Sequence, residues 1–309
     1  MSQDKSQRLA GNALAAASMV LWSTSFPATD IILQTWHPLA TAIGRLGIGA
    51  LGLLPLMWWQ GNISDVIHGP WKKVFRAGGL SLGIATITLN VGMMYSNPVT
   101  AAVIVTMMPP IAFLLAVIEG EQRITVKWMV GIGLAVAGGT WASIHEDTGN
   151  LGFQGGEILL VVSVTCFAWY SRAVVRHLGM ISTASATALT LFAGTLVSGA
   201  AIGLAQATGM IELYYEPTLK TFGLLFWIAA VANGYGMLLW FFAVSRIGVT
   251  ISSFHQNLVP FYVMLMAVLL GGFVVLEQVY GALLVVGGVL VTQWPARRPK
   301  RAKKQPQQG

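Results

Sequence analysis

The chain has 309 residues, 55% of them hydrophobic and 9% charged, with a net charge of +7. A soluble domain carries about 25% charged residues, so lipid rather than water must cover this much apolar surface. The ten-residue alternation of an outer-membrane barrel is absent, and the single cysteine, Cys166, excludes an intrachain disulfide and a cysteine metal site.

Apolar windows of the roughly 20-residue length of a membrane helix recur along the whole chain. The first, 9–33, is longer than the 7–15 residues of a signal h-region and reads as a retained helix. The others are 38–59, 75–95, 98–118, 125–144, 155–175, 182–206, 219–244, 248–272 and 275–294. Lys5 and Arg8 precede the first span; Lys72, Lys73 and Arg76 lie between two and three; Arg123 and Lys127 lie between four and five. Arg172 and Arg176 end the sixth, Arg246 follows the eighth, and the alternate loops hold only Lys220. The positive-inside rule then puts both termini in the cytoplasm, which requires an even number of spans and agrees with ten. Six of the eighteen basic residues lie in the Pro/Gln-rich tail 296–309. A tail of that composition after a membrane helix reads as a disordered cytoplasmic end, with lipid-headgroup or partner binding as the alternative, and the net charge gives no reason to expect a nucleic-acid partner.

A shift of 150 residues brings the ends of the two halves into register without a gap. Val99-Thr100 falls on Val249-Thr250, Pro110 on Pro260, Gly131 on Gly281 and Gly138 on Gly288. Five spans per half is odd, so the second half enters the membrane from the opposite side. The predicted fold class is an all-α polytopic membrane protein of ten transmembrane helices, built as two inverted five-helix repeats, 1–147 and 148–295. An inverted repeat is the architecture of secondary transporters, which hold their site near the midplane between halves.

Candidate site residues follow from polarity inside apolar spans. In the ninth span Ser253, Gln256, Asn257 and Pro260 are spaced i, i+3, i+4, i+7 and share a helix face, with His255 at its edge. Facing lipid would be costly, so the face looks inward. Pro260 lacks an N–H and should free the Gln256 carbonyl one turn earlier; Pro110 should act alike in the fourth span. These features read either as a substrate cavity hinged at Pro110 and Pro260 or as hydrogen-bonding between helices. His255 reads as a structural residue or a proton relay. Trp22, Ser23 and Ser25 in the first span, Asn90 and Tyr95 in the third, Trp169 and Tyr170 in the sixth, and Asn233, Tyr235 and Trp240 in the eighth supply aromatic walls and polar handles for a small amphipathic ligand. Arg45 stands roughly 10 Å inside the second span and is expected to pair with Asp30 or Glu157, or else to serve an outer gate or a substrate carboxylate. With Arg45 the one cation available inside the membrane, phosphorylated ligands are disfavoured. No cofactor motif is present. The G-x-S-x-G match at 79–83 lies in a membrane span and lacks the strand–turn–helix setting of a hydrolase.

Three stretches carry a family likeness: "LWSTSFPATDII", "NPVTAAVIVTMMPPIAFLLAVIEGEQRITVKWMVGIGLAVAGG" and "LLWFFAVSRIGVTISSFHQNLVPFYVMLMAVLLGG". Their order and spacing resemble the drug/metabolite transporter superfamily, specifically the ten-helix EamA-like exporters, over all but the tail. The amino-acid-exporting branch is the most similar. The resemblance implies a monomeric carrier of the inner membrane, not an enzyme, that exports small metabolites by alternating access. Two departures stand out. Relatives carry Gly-Glu at the ends of helices four and nine, and here Gly120-Glu121 fits but Gly271 replaces the second Glu; Pro27 interrupts the first span. A proton-coupled exporter of lipophilic cations is the alternative, and would need Asp30 or Glu157 in the cavity.

Overall fold

A computed structural model of the chain describes residues 2–96, 98–120, 123–142, 155–274 and 276–293. Glu121, Trp294 and the basic tail lie outside them. The described residues are helical, with one isolated bridge between Trp36 and Tyr215 in the connecting loops.

In the first half, α1 (Ser2–Ser23) and α2 (Ser25–Leu33) meet at Thr24. The side chains of Ser23, Thr24 and Ser25 donate back to the carbonyls of Met19, Leu21 and Trp22, a pattern that bends helices. Pro27 then sits in the first turn of α2, where its missing N–H costs least. The helix α3 (Pro38–Trp59) starts on a proline and is capped by His37, whose Nδ1 accepts from Leu39 N at 3.2 Å. Short helices α4 (Asp65–His68) and α5 (Trp71–Val74) lead through a π-helical segment, Phe75–Leu82, into α6 (Gly83–Met94). Next come α7 (Pro98–Val105), α8 (Met108–Ile118) and α9 (Val126–Ala142).

The second half repeats this plan. Its long helices α10 (Gly156–His177) and α11 (Thr183–Ala207) are followed by α12 (Leu219–Phe226), which a Thr218/Thr221 capping box starts. A second π-helical segment, Trp227–Tyr235, leads into α13 (Gly236–Ser253). Gly248, at φ 78° and ψ 161°, kinks α13. A 3-10 turn, Phe254–Leu258, precedes α14 (Val259–Leu269), and α15 (Leu276–Gln293) ends the described chain.

Six of these stretches are long and apolar enough to cross a membrane: Pro38–Trp59, Trp71–Met94, Thr100–Ile118, Gly156–His177, Thr183–Ala207 and Leu219–Gly248. Three shorter apolar helices cover Val126–Gly138, His255–Leu269 and Leu276–Gly288. Trp58 and Trp59 are exposed at the end of α3, as interfacial anchors are.

Packing between the halves is reciprocal. α1 lies on α13 as α10 lies on α6; the second π segment crosses α3 as the first crosses α11; α14 touches α1 as α8 touches α10. The pairs α3–α11 and α9–α15 are their own counterparts. One apolar core, including Met19, Leu46, Leu89, Met108, Leu160, Leu191 and Phe241, runs through both halves.

The proline breaks differ from the sequence expectation in one respect. Pro260 does not interrupt a continuous helix. It occupies the first turn of α14, and the Gln256 carbonyl accepts from Val259 N. The 3-10 turn tightens the chain so that this carbonyl finds a nearer donor than residue 260 could have offered. Pro109 and Pro110 likewise lie in the first turn of α8, after a bend in which Thr106 and Met107 donate to Val103 and Ile104. At their other ends α8 and α14 stop at Gly120 and Gly271, both at positive φ, where the lack of a Cβ removes the strain. Gly271 thus has a terminating role where Glu was expected.

Glycines in the helices serve close packing selectively. A Cβ on Gly138 would stand 2.6 Å from the Gly281 carbonyl, so α9 and α15 pack backbone to backbone there. A Cβ on Gly133, Gly199, Gly203 or Gly287 would meet nothing within 4 Å, so these four serve no close helix approach.

Candidate functional site

Two chambers lie side by side between the halves. The larger, about 480 Å³ including its mouth, is lined by Arg45, Thr86, Leu89 and Met108 from the first half and by Ser163, Val164 and Asn233 from the second. The smaller, about 250 Å³, is lined by Ser18, Met19, Gly236, Met237, Trp240 and Gln256. Trp22 and Phe167 belong to both walls. Their rings stack at 5.9 Å between centroids, so one ring from each half forms the partition. Leu82 and Asn233, from the two π segments, both face the larger chamber.

Arg45 is 2% exposed. Its Nη1 donates to Thr29 Oγ1 at 3.3 Å and its Nη2 to Ser25 Oγ at 3.1 Å. Both bonds are longer than the 2.7–2.9 Å of charge-assisted contacts to carboxylates. No ion pair joins Arg45 to Asp30 or Glu157 among the described residues, which overturns that expected pairing. The turn of α2 that faces Arg45 presents Ser25 and Thr29, one turn apart, while Asp30 is half-buried next to them. Glu157 is buried in the first turn of α10 with Oε2 unpartnered, six residues before the chamber residue Ser163. Neither carboxylate lines a chamber.

Of the other predicted residues, Trp22, Asn233, Trp240 and Gln256 line the chambers. Gln256 is 1% exposed and neither of its amide atoms has a partner; Asn233 Nδ2 and Trp240 Nε1 are also unpartnered. Ser253 and Asn257 are buried beside Gln256, and His255 is half-buried with Nδ1 unpartnered. Ser23 is spent on the Met19 carbonyl, Asn90 donates to the Thr86 carbonyl, and Tyr170 bonds Thr190 Oγ1 at 2.8 Å. Trp169 packs against the core without lining either chamber. Tyr95 and Tyr235 are 47% and 38% exposed, so neither belongs to the site. Tyr95 follows the last turn of α6, and Tyr235 ends a π segment whose wider turn shifts the side-chain phase.

Phe167, Ser163, Thr86 and Ser18 are site residues that sequence reasoning did not single out. A signal existed for two of them, since Ser163 and Phe167 are spaced i, i+4 on α10.

One end of the bundle carries an ion-pair tie. Glu119 Oε2, just past α8, accepts from Arg172 Nη2 at 2.5 Å and lies 3.1 Å from Arg176 Nη1, both on the last turns of α10. The 150-residue counterparts of these three positions are Leu269, Trp22 and Phe26, so the other half has no equivalent pair.

Comparison with known proteins accounts for this architecture. The EamA-like transporter family matches residues 9–144 and again 154–294. An uncharacterised transporter of Bacillus subtilis, YyaM, is 28% identical over 86% of this chain and 87% of its own length. A probable terminal-alkyne amino-acid exporter of Streptantibioticus cattleyicolor is 22% identical over 88% of each chain. A crystal structure sharing 16% identity superposes with a TM-score of 0.65 over 91% of this chain and 96% of that one, which shows the fold. The chain is a multi-pass membrane transporter and not an enzyme: with two matched repeats it belongs to the EamA-like transporter family.

Proposed function

We propose that the protein exports small amphipathic metabolites, foremost amino acids, across the inner membrane by alternating access. The reading takes ten spans in two inverted five-helix repeats, 1–147 and 148–295, with both termini cytoplasmic and the monomer as the working unit. The observation that carries it is the pair of polar-handled chambers between the halves, partitioned by Trp22 from one half and Phe167 from the other. The reciprocal contacts of the two halves support it: exchanging one set for the other would open the opposite face at little net change in contact. The relative named as an amino-acid exporter points to the substrate class. Neither Asp30 nor Glu157 lines a chamber, so a site for lipophilic cations has no support here.

In this orientation the Glu119–Arg172–Arg176 tie closes the cytoplasmic end. Glu119→Gln is expected to leave the unfolding temperature almost unchanged, because the pair is partly exposed. It should lower the internal substrate concentration that half-saturates efflux by about two- to fivefold, the factor that ~0.5–1 kcal/mol of lost closure represents. Concentration-dependent efflux from proteoliposomes checks this.

The reading itself is tested by efflux of labelled neutral amino acids from proteoliposomes, with and without an imposed pH gradient. Protein-dependent efflux is the expected result, and pH-driven accumulation would add proton coupling and make His255 the first relay candidate. No flux above empty vesicles, from protein shown to be folded, would sink the amino-acid assignment.

A further inference from the structure

Arg45 brings a permanent positive charge into the membrane interior with two neutral hydroxyls as its hydrogen-bond partners. Intramembrane charges are normally paired or placed on a substrate path, and this one lines a chamber. Asn233 is 6% exposed, lines the same chamber, and has an unpartnered Nδ2. A Cβ built on Gly49, one turn along α3 from Arg45, would stand 3.6 Å from that nitrogen. Asn233 therefore reaches the face of α3 one turn beyond Arg45, and the guanidinium and the amide donor line the same chamber. Two donors so placed, one of them charged, make a receptor for a carboxylate. The hydroxyls of Ser25 and Thr29 orient the guanidinium and leave its charge uncompensated.

The rest of the lining is as informative. Among the described residues, no carboxylate side chain borders either chamber. No anionic partner for an ammonium group stands there; beyond the Trp22–Phe167 partition the unpartnered polar groups are the amide of Gln256 and Nε1 of Trp240, both neutral.

We infer that Arg45 and Asn233 form an anion subsite, and that the carrier selects its substrates by a carboxylate, with the amine dispensable. The substrate class is then amphipathic monocarboxylic acids, amino acids among them. This inference rests on the transport reading for its biological meaning, but its test does not depend on flux.

The full chain in lipid nanodiscs is titrated calorimetrically with three probes of equal size: L-leucine, its 2-hydroxy analogue lacking the amine, and L-leucinamide lacking the carboxylate. Leucine and the hydroxy acid are expected to bind within about threefold of each other, and leucinamide about tenfold or more weaker, as loss of a hydrogen bond to a charged group implies. Asn233→Asp places a carboxylate in the chamber that Arg45 lines and should weaken both acids about tenfold or more, while its unfolding temperature stays level or rises. Leucinamide binding as tightly as leucine, undiminished acid binding by Asn233→Asp, or no acid binding by the unsubstituted protein would overturn the inference. Leucine efflux alongside any of those results would leave the transport reading standing without the subsite. The expected binding pattern without flux would sustain the subsite and sink the transport reading alone.

Discussion

Arg45→Met is expected to reduce carboxylate transport about a hundredfold or more, the consequence of losing a charged contact inside a low-dielectric cavity, while leaving the protein as stable as before or more so. The two halves of that result have separate causes. Burial of an ion carries an effective penalty of several kcal/mol, and two long hydrogen bonds to hydroxyls offset only a fraction of it. A methionine of similar length keeps the packing between α2 and α3 and removes the penalty. Its flexible thioether adapts to the space the guanidinium leaves. Had Arg45 been a structural tie to Asp30 or Glu157, the same substitution would strand a buried carboxylate and destabilise by about 3–5 kcal/mol. Thermal unfolding in nanodiscs and flux from proteoliposomes, run on one preparation, separate the two cases. A drop in unfolding temperature of more than a few degrees would show that the guanidinium supports the fold.

Gly78→Ala is expected to be one of the most damaging glycine-to-alanine changes among the described residues. Gly78 lies in the first π segment where it crosses α11. A Cβ there would stand 2.4 Å from the Thr190 carbonyl oxygen and 2.5 Å from its Cα. These are backbone atoms, so no rotamer change relieves the overlap; the two helices must separate. Overpacking of this kind costs about 1–3 kcal/mol or more, and Thr190 also holds the Tyr170 hydroxyl, so the disturbance reaches α10. Gly133→Ala and Gly287→Ala are the matched controls. Both glycines are helical with nothing within 4 Å, and alanine there should be neutral or stabilising by up to about 1 kcal/mol from helix propensity. Unfolding temperature and yield of monodisperse protein in detergent check all three. Equal behaviour of Gly78→Ala and the controls would mean that the crossing is looser than described.

Much of this was legible in the chain. The prolines at 27, 109, 110 and 260 fall in the first turns of helices, where a residue without an N–H costs least, whereas Pro55 lies inside α3 and marks no break. The 150-residue shift relates features it was never matched on. Both third-position helices carry a π segment, at Phe75–Leu82 and Trp227–Tyr235, and glycines at positive φ, Gly120 and Gly271, one residue off that register, end α8 and α14. The π segments themselves had no local signal, since a widened turn is set by what packs against it. That is why Tyr235 was misplaced. Arg45 was legible as a costly charge at depth, but its partners depend on how α2 is rotated against α3, and a one-residue difference decides between Asp30 and Thr29. Trp22 was a visible candidate; its stacking on Phe167 joins residues 145 positions apart and could not be read from either neighbourhood.

The Trp22–Phe167 stack carries a last consequence. A solute that moves from one chamber to the other must push apart a pair of flat rings anchored on different halves. The work of separating them grows with the girth of the solute and scarcely with its length. Such a doorway sorts molecules by cross-section: slender unbranched chains slip through edge-on, whereas bulk beside the carboxyl-bearing carbon must pry the halves apart. Selectivity among chemically equivalent acids would then be a property of the doorway's hinge stiffness rather than of either room it joins.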